Sequence, residues 1–258
     1  MAIHPTAIID PSAEISSTAE IGPYCIVGAN VSIGARTRLV ANVYLEGKLS
    51  IGEDNVFYPY SSIGAAPQDK KYRGEASETQ IGNQNNIREF VTIHRGTQGG
   101  GMVTRVGDDN LLMAYVHIAH DVFVHNHTIL ANGVTFAGHV IVEDYANVGG
   151  LTAVHQFTRI GRHAIIGSRS VIKQNVLPYS ITASDHSVEI YGANRVGMER
   201  AGFPVSSIET LQNAFRILTR AGLNTTQALA RIEEELPMNE ELEALLAFIR
   251  NSQGGFAK

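Results

Sequence analysis

Large apolar residues return along this chain at every sixth position. Ile3, Ile9, Ile15, Ile21, Val27, Ile33, Leu39, Leu45, Ile51, Phe57 and Ile63 form an unbroken run, and Ile81, Ile87 and Ile93 resume it. Val106, Leu112, Ile118, Val124, Leu130, Phe136, Val142, Val148, Val154, Ile160, Ile166 and Ile172 complete it. The fifth residue of each hexad is patterned too. Ala7, Ala13, Ala19, Cys25, Val31, Thr37 and Val43, then Val116, Val122, Thr128, Val134, Val140, Ala146, Thr152 and Thr158, are small or β-branched, with Leu49 the main exception. A helix would repeat near 3.6 and a half-buried strand at 2, and neither singles out every sixth residue. Two inward positions in six, one large and one small, describe a short strand that turns a corner. Glycine often follows the large residue ("IGPYCI", "IGEDNV", "VGDDNL", "IGRHAI"), where a tight corner favours a backbone without a Cβ. The pattern predicts a parallel β-helix in which each face is one hexad and stacked coils share one interior.

Two interruptions break the register. "AAPQDKKYRGEASETQ" (65–80) and "QGGGMVTR" (98–105) are polar or glycine-rich and are expected to loop out from the coil. After Pro178 the hexads stop, and from about 191 the pattern is helical. Ile208, Leu211, Phe215 and Leu218 share a face, with Ser206 and Glu209 spaced as a capping box. Leu229, Ile232 and Leu236, then Leu242, Leu245, Leu246 and Ile249, predict two more short helices separated by Pro237. The division expected is a β-helix over 1–190 and a helical domain over 191–258, the latter covering an open end of the solenoid or packing beside it.

Composition narrows the function. At 258 residues, with 44% apolar and 17% charged residues, the chain is an ordinary globular one. A net charge of −5 argues against a nucleic-acid binder. The single cysteine, Cys25, forms no internal disulfide and suits a reducing compartment. No basic segment leads into an apolar run, and nowhere are there about 18 uninterrupted apolar residues, so a cytoplasmic protein with no integral membrane segment is expected.

The repeat resembles the hexapeptide-repeat family over roughly residues 3–177. That resemblance implies a left-handed prism with three faces, 18 residues per coil, and a homotrimer. Sequence period alone gives the six; a left-handed crossover runs against the usual rule for parallel strands. On that geometry Ile118, Phe136 and Val154 are equivalent on successive coils, which gathers His117, His120, His139 and His155 near one corner. The segment "AYVHIAHDVFVHNH" (114–127) is thus resolved into two groups, with His125 and His127 expected on another face. Imidazole serves as a base near neutral pH, and the adjacent Asp121 is placed to orient His120. Such a site is expected in a cleft between neighbouring subunits.

The segments "GPYCIVG", "QDKKYRGE", "TIHRGT", "NLLMAYVHIAHD", "LAN", "AGHV", "GGLTAVHQF" and "GMERAGF" sharpen the match. They closely resemble the UDP-N-acetylglucosamine O-acyltransferase family of lipid A synthesis over nearly the whole chain. The resemblance implies transfer of a (3R)-3-hydroxyacyl chain from the phosphopantetheine of acyl carrier protein to the glucosamine 3-hydroxyl. No separate cofactor, metal or covalent intermediate is implied. His120 matches the general base and Gly138 the oxyanion donor. Asp69 and Lys71 match residues that contact the sugar, and His117, His139, His155 and Gln156 match substrate-binding positions. Asn194 and Arg200 match the nucleotide end, and Ser168 stands where acyl length is set. Arg159, Arg162, Arg169, Lys173, Arg216 and Arg220 are candidates for docking the acidic carrier protein.

Departures lie at the nucleotide end. "GANRVGMERAGF" (192–203) has Val196 where relatives tend to have glutamate and Ala201 where they have a second arginine, with Arg195 as a possible substitute cation. "ASDHSVE" (183–189) replaces a more usual turn. The donor sugar therefore stays open between UDP-N-acetylglucosamine and a 3-amino variant. Rivals on the same scaffold are an N-acyltransferase, a coenzyme A acetyltransferase, and a zinc carbonic anhydrase using histidines such as His120 and His125 across a subunit interface.

Overall fold

The structure is a computed structural model and describes residues 2–183, 189–252 and 254–257. Most of "ASDHSVE" lies outside the described residues. Three sheets of 11, 9 and 8 strands take every third strand in turn. Their parallel register makes a left-handed β-helix with a triangular section. Ile3, Ile21, Leu39 and Phe57 are Cα partners down the first face, 18 residues apart. Phe57 then pairs Ile87 and Ile87 pairs Leu112, so the spacing widens to 30 and 25 across the two interruptions. The insertions loop out and the coil closes again in register.

Both inward positions of nearly every hexad are buried, from Ala19 and Ile21 to Ile172 and Val176. The first coil is the exception: Ile3 is exposed and Ala7, Ile9, Ala13 and Ile15 are only partly covered. The far end is closed. Strands Ser180–Ala183 and Glu189–Ala193 extend the first face, the second antiparallel to the first, so strand pairing runs beyond 190. Leu177, Tyr179 and Ile190 pack into a second core with helices α1 (Arg195–Arg200), α2 (Val205–Arg220), α3 (Thr225–Glu235) and α4 (Glu240–Arg250). The Arg159 guanidinium also lies 4.7 Å from the Phe248 ring centre, tying α4 to the third face. Among the described residues no helix is long and apolar enough to cross a membrane.

The predicted box at Ser206 and Glu209 does not form. Pro204, not Ser206, stands at the N-cap of α2, with extended backbone and no side-chain cap, so Ser206 is already inside the first turn. A reciprocal box closes α3 instead, between Asn224 and Gln227.

The corners correct the reading of the glycines. Backbone in the left-handed region falls three residues after the large one, at positions that are mostly not glycine: Tyr60, Phe90 and Tyr115 at the first corner, Asp121, His139 and Phe157 at the second, His127, Tyr145 and His163 at the third. That conformation costs roughly 1 kcal/mol for an L residue. Stacking between coils offsets it, with ring centres 4.8 and 5.1 Å apart along Tyr60, Phe90 and Tyr115 and 4.6 and 4.7 Å along His127, Tyr145 and His163. The glycines directly after the large residue have another reason. A Cβ on Gly22, Gly34 or Gly82 would run into a backbone carbonyl of the next coil.

Inside the third corner runs a polar ladder. Asn85 receives from Asn110 and donates to Asn55 and to the Gly107 carbonyl, and Asn110 receives from Thr128, all at 2.7–3.0 Å, with the four side chains buried.

Candidate active site

Both insertions leave from the second corner. One runs from the strand Ser62–Ala65 to Glu78–Ile81, the other from Thr92–His94 to Val103–Val106. They are tied together: Arg95 Nε donates to Tyr72 Oη at 3.0 Å, Arg95 Nη1 to the Gly64 carbonyl at 2.9 Å, and the Gln98 amide to Glu75 at 3.4 Å. The next coils turn this same corner at His120 and Asp121, at Gly138 and His139, and at Gln156 and Phe157.

His120 Nδ1 lies 2.8 Å from Asp121 Oδ2. An ionised carboxylate only accepts, so the proton of this bond sits on Nδ1 and the Nε2 lone pair is free. The Asp121 side chain is 1% exposed against 17% for His120. Its charge is met by the second insertion, where the Thr97 amide donates to Oδ1 at 2.8 Å and Thr97 Oγ1 to Oδ2 at 2.6 Å. Gly100 lies against the same carboxylate, where a Cβ would collide with Asp121.

Beneath the His120 ring is Gly138, whose missing Cβ makes the room: a side chain there would strike the imidazole. The Gly138 N–H finds no acceptor among the described residues. Its place in the hexad explains why. Except at Arg95, where an insertion begins, the third position gives no proton to a backbone carbonyl among the described hexads, and Pro5, Pro11, Pro23 and Pro59 occupy it elsewhere. At Gly138 the idle donor is beside an imidazole instead.

A groove of about 630 Å3 opens from this point along the second face, lined by His117, His120, Gly138, His155 and Gln156 over an apolar floor that includes the outward side chains of Ala137, Ala153 and Val171. It also contains His94, which sequence reasoning missed. His94 lies 5.1 Å from the His117 ring, edge to face. Burial, with His117 and His120 adding to it, pushes the His94 imidazole down to about 4, so it is neutral at physiological pH. The signal was present in the quoted "TIHRGT", one residue after the inward Ile93 and next to the second insertion. Burial also lowers His117, whose Nδ1 is 2.7 Å from Thr92 Oγ1.

The predicted residues do not all share this groove. Asp69, Lys71 and His139 line a separate cavity of about 490 Å3 under the first insertion, with Tyr72, Thr97 and Phe157. His139 joins the two, meeting the His120 ring edge to face at 5.2 Å and stacking on Phe157 at 4.5 Å. Burial lowers its imidazole, against an opposing pull from Asp121. Asn194 is at the third corner, capping α1 through Gly197 and donating to the His163 carbonyl at 2.9 Å. Arg200 ends α1 and Ser168 is exposed at the first corner; within one subunit neither is brought to His120. Arg195 is paired with Glu199 at 2.7 Å, and Val196 is exposed beside it. Of the basic candidates, Arg159 and Arg162 face Glu143, while Lys173 ends the groove. His125 lines the third face and His127 the third corner, apart from His120 as expected.

His120, Asp121 and His139 each bring a ligand atom within 4.8 Å of the others. The set fits a metal poorly. Asp121 Oδ2 already accepts from Thr97 Oγ1 and His120 Nδ1, and a cation would displace both.

Known proteins resemble this chain in sequence and in backbone fold. Residues 175–257 match a family model described as UDP N-acetylglucosamine O-acyltransferase, domain 2. Among solved structures, LpxA from Acinetobacter baumannii is 40% identical, with all of each chain covered and a TM-score of 0.96. LpxA from Moraxella catarrhalis, a UDP-N-acetylglucosamine O-acyltransferase, is 42% identical, with all of each chain covered and a TM-score of 0.95. The UDP-N-acetylglucosamine acyltransferase LpxA from Bacteroides fragilis is 40% identical over 99% of this chain and 100% of its own, with a TM-score of 0.97.

Proposed function

The chain belongs to the UDP-N-acetylglucosamine O-acyltransferase family, and we propose that it moves a (3R)-3-hydroxyacyl chain from acyl carrier protein to the 3-hydroxyl of UDP-N-acetylglucosamine, the first step of lipid A biosynthesis. The observation that carries this reading is the pairing of an oriented imidazole with an idle backbone donor: His120, held by Asp121, packs against Gly138, whose N–H has no acceptor among the described residues.

In this reading His120 Nε2 takes the proton of the sugar 3-hydroxyl as its oxygen attacks the thioester carbonyl. A hydroxyl is too weakly acidic to attack unaided, and a positioned base supplies about 10²–10⁴ in rate. The carbonyl oxygen becomes an oxyanion that accepts from the Gly138 N–H. Collapse expels the phosphopantetheine thiolate, which recovers the proton from His120. Asp121 keeps the imidazole in the Nδ1–H form throughout. The apolar groove floor suits an acyl chain, and Asp69, Lys71 and His139 suit a sugar hydroxyl and phosphate.

Asn194, Arg200 and Ser168 enter this reading from a neighbouring subunit of a homotrimer, since their own subunit holds them apart from His120. Acyl carrier protein docks at the basic rim that includes Lys173, and the reaction is cytoplasmic. The test is mass-spectrometric acyl transfer with UDP-N-acetylglucosamine, its 3-amino analogue and a ladder of 3-hydroxyacyl carrier proteins. His120→Ala should abolish turnover in a protein that remains folded. Undiminished turnover by that variant would sink the base assignment.

A further inference from the structure

We propose that Thr97, in the second insertion, is a positioning residue that sets the catalytic imidazole through Asp121. The inference rests on the base reading of His120 and extends it one residue outward.

Thr97 grips both oxygens of one carboxylate. Its amide donates to Asp121 Oδ1 at 2.8 Å and its hydroxyl to Oδ2 at 2.6 Å, and Oδ2 is the oxygen that receives His120 Nδ1. Two donors from one residue fix the plane of the carboxylate, and the plane fixes the direction of the imidazole bond. Thr97 stands at the N-cap of the 3-10 turn Gln98–Gly100, yet makes no side-chain cap bond. Its one proton goes to Asp121.

The rest of the insertion seals the grip. Gly100 folds back onto the carboxylate, its amide donating to the Thr97 carbonyl at 3.1 Å, and Met102 donates to the same carbonyl at 2.9 Å. Asp121 turns the corner at φ +60°, as His139 and Phe157 do on the next coils, and its amide is held at 2.8 Å by Thr104 Oγ1. The dyad is thus held from outside the prism by the loop and from inside by the strand Val103–Val106. This gives the second insertion a chemical purpose.

Acyl-transfer kinetics on the full-length protein test the idea with Thr97→Val, Thr97→Ala and Thr97→Ser, alone and combined with Asp121→Ala. Thr97→Val and Thr97→Ala should lower kcat about 10- to 100-fold, the size of one hydrogen bond to a charged group. kcat should fall further than KM rises, because the Thr97 hydroxyl, although Thr97 borders the cavity under the first insertion, is spent on Asp121. Thr97→Ser, which keeps the hydroxyl, should recover most of the loss. On the Asp121→Ala background Thr97→Val should add nothing, since the group it acts through is gone. Losses that multiply on that background, a serine variant as impaired as valine, or reduced thermal stability with normal kcat would each overturn the proposal. If His120→Ala itself turned over normally, the base reading would fall first, and that result is separable because it does not involve Thr97.

Discussion

Two histidine–aspartate pairs stand at corners of the prism. Both have Nδ1 to carboxylate distances of 2.8 Å: His120 with Asp121 at the second corner, and His127 with Asp109 at the third. Geometry between partners does not distinguish them. Their surroundings do: the carboxylate is 1% exposed in the first pair and 60% in the second. Asp121 is roofed by an insertion that satisfies it, beside a backbone donor with nothing to do. Asp109 is in water, and His127 is one ring in a stack that braces the turn. A histidine beside an aspartate becomes chemistry only where the fold removes solvent and supplies a target for its free nitrogen.

The largest expected difference comes from cutting each carboxylate. Asp121→Ala should lower kcat by about 10²–10⁴, the range for losing an effective general base. Asp109→Ala should leave it within a few-fold, because an exposed pair contributes at most about 1 kcal/mol. Equal losses in the acyl-transfer assay would erase the distinction drawn between the corners. Gly138→Ala should cost about 10²–10³ through the displaced His120 ring and the disturbed donor. A Gly138→Ala enzyme with normal turnover would remove the oxyanion assignment.

How far the sequence could reach follows the same division. The period of six fixed which residues face inward, since Ile21, Leu39 and Phe57 are partners in space as they are in spacing. It also brought His117, His120 and His139 together, once 18 residues per coil were granted by the family resemblance. The cavity under the first insertion was not legible, because it depends on where residues 66–77 and 95–102 fold after leaving the coil. His94 is on the coil itself, in the strand Thr92–His94, and was open to the same register argument that gathered His117. The idle N–H of Gly138 was half visible, in the prolines that fill its place on other coils. The Asn ladder was visible as well: Asn55, Asn85 and Asn110 stand at fifth positions where the rule of small residues should have excluded them.

His94 sharpens the comparison through pH. Its pKa falls from the ordinary 6.5 to about 4, so the unfolded chain binds more protons between those values. Stability is therefore full above pH 6.5 and is lost as pH falls through about 4, a change of roughly 3 kcal/mol for a shift of that size. Denaturant midpoints between pH 4 and 7 should show this slope in the native protein and a shallower one in His94→Gln. An unchanged slope would mean that other groups carry the acid sensitivity.

The third corner is braced from within, and that is the next place to press. Asn85→Leu removes a carbonyl that Asn110 uses at 3.0 Å and an amide that the Gly107 carbonyl uses at 2.8 Å. Each buried partner left unpaired costs about 1–3 kcal/mol, which chemical unfolding would register. His127→Ala should have the smallest effect. It removes one ring from a stack and one exposed hydrogen bond to Asp109, for about 1 kcal/mol, and touches neither the groove nor the insertions. If it nevertheless lowered kcat as far as a change at Asp121, the third corner would have to approach a site on another subunit. The comparison would then be between two halves of one active site rather than between a working corner and a structural one.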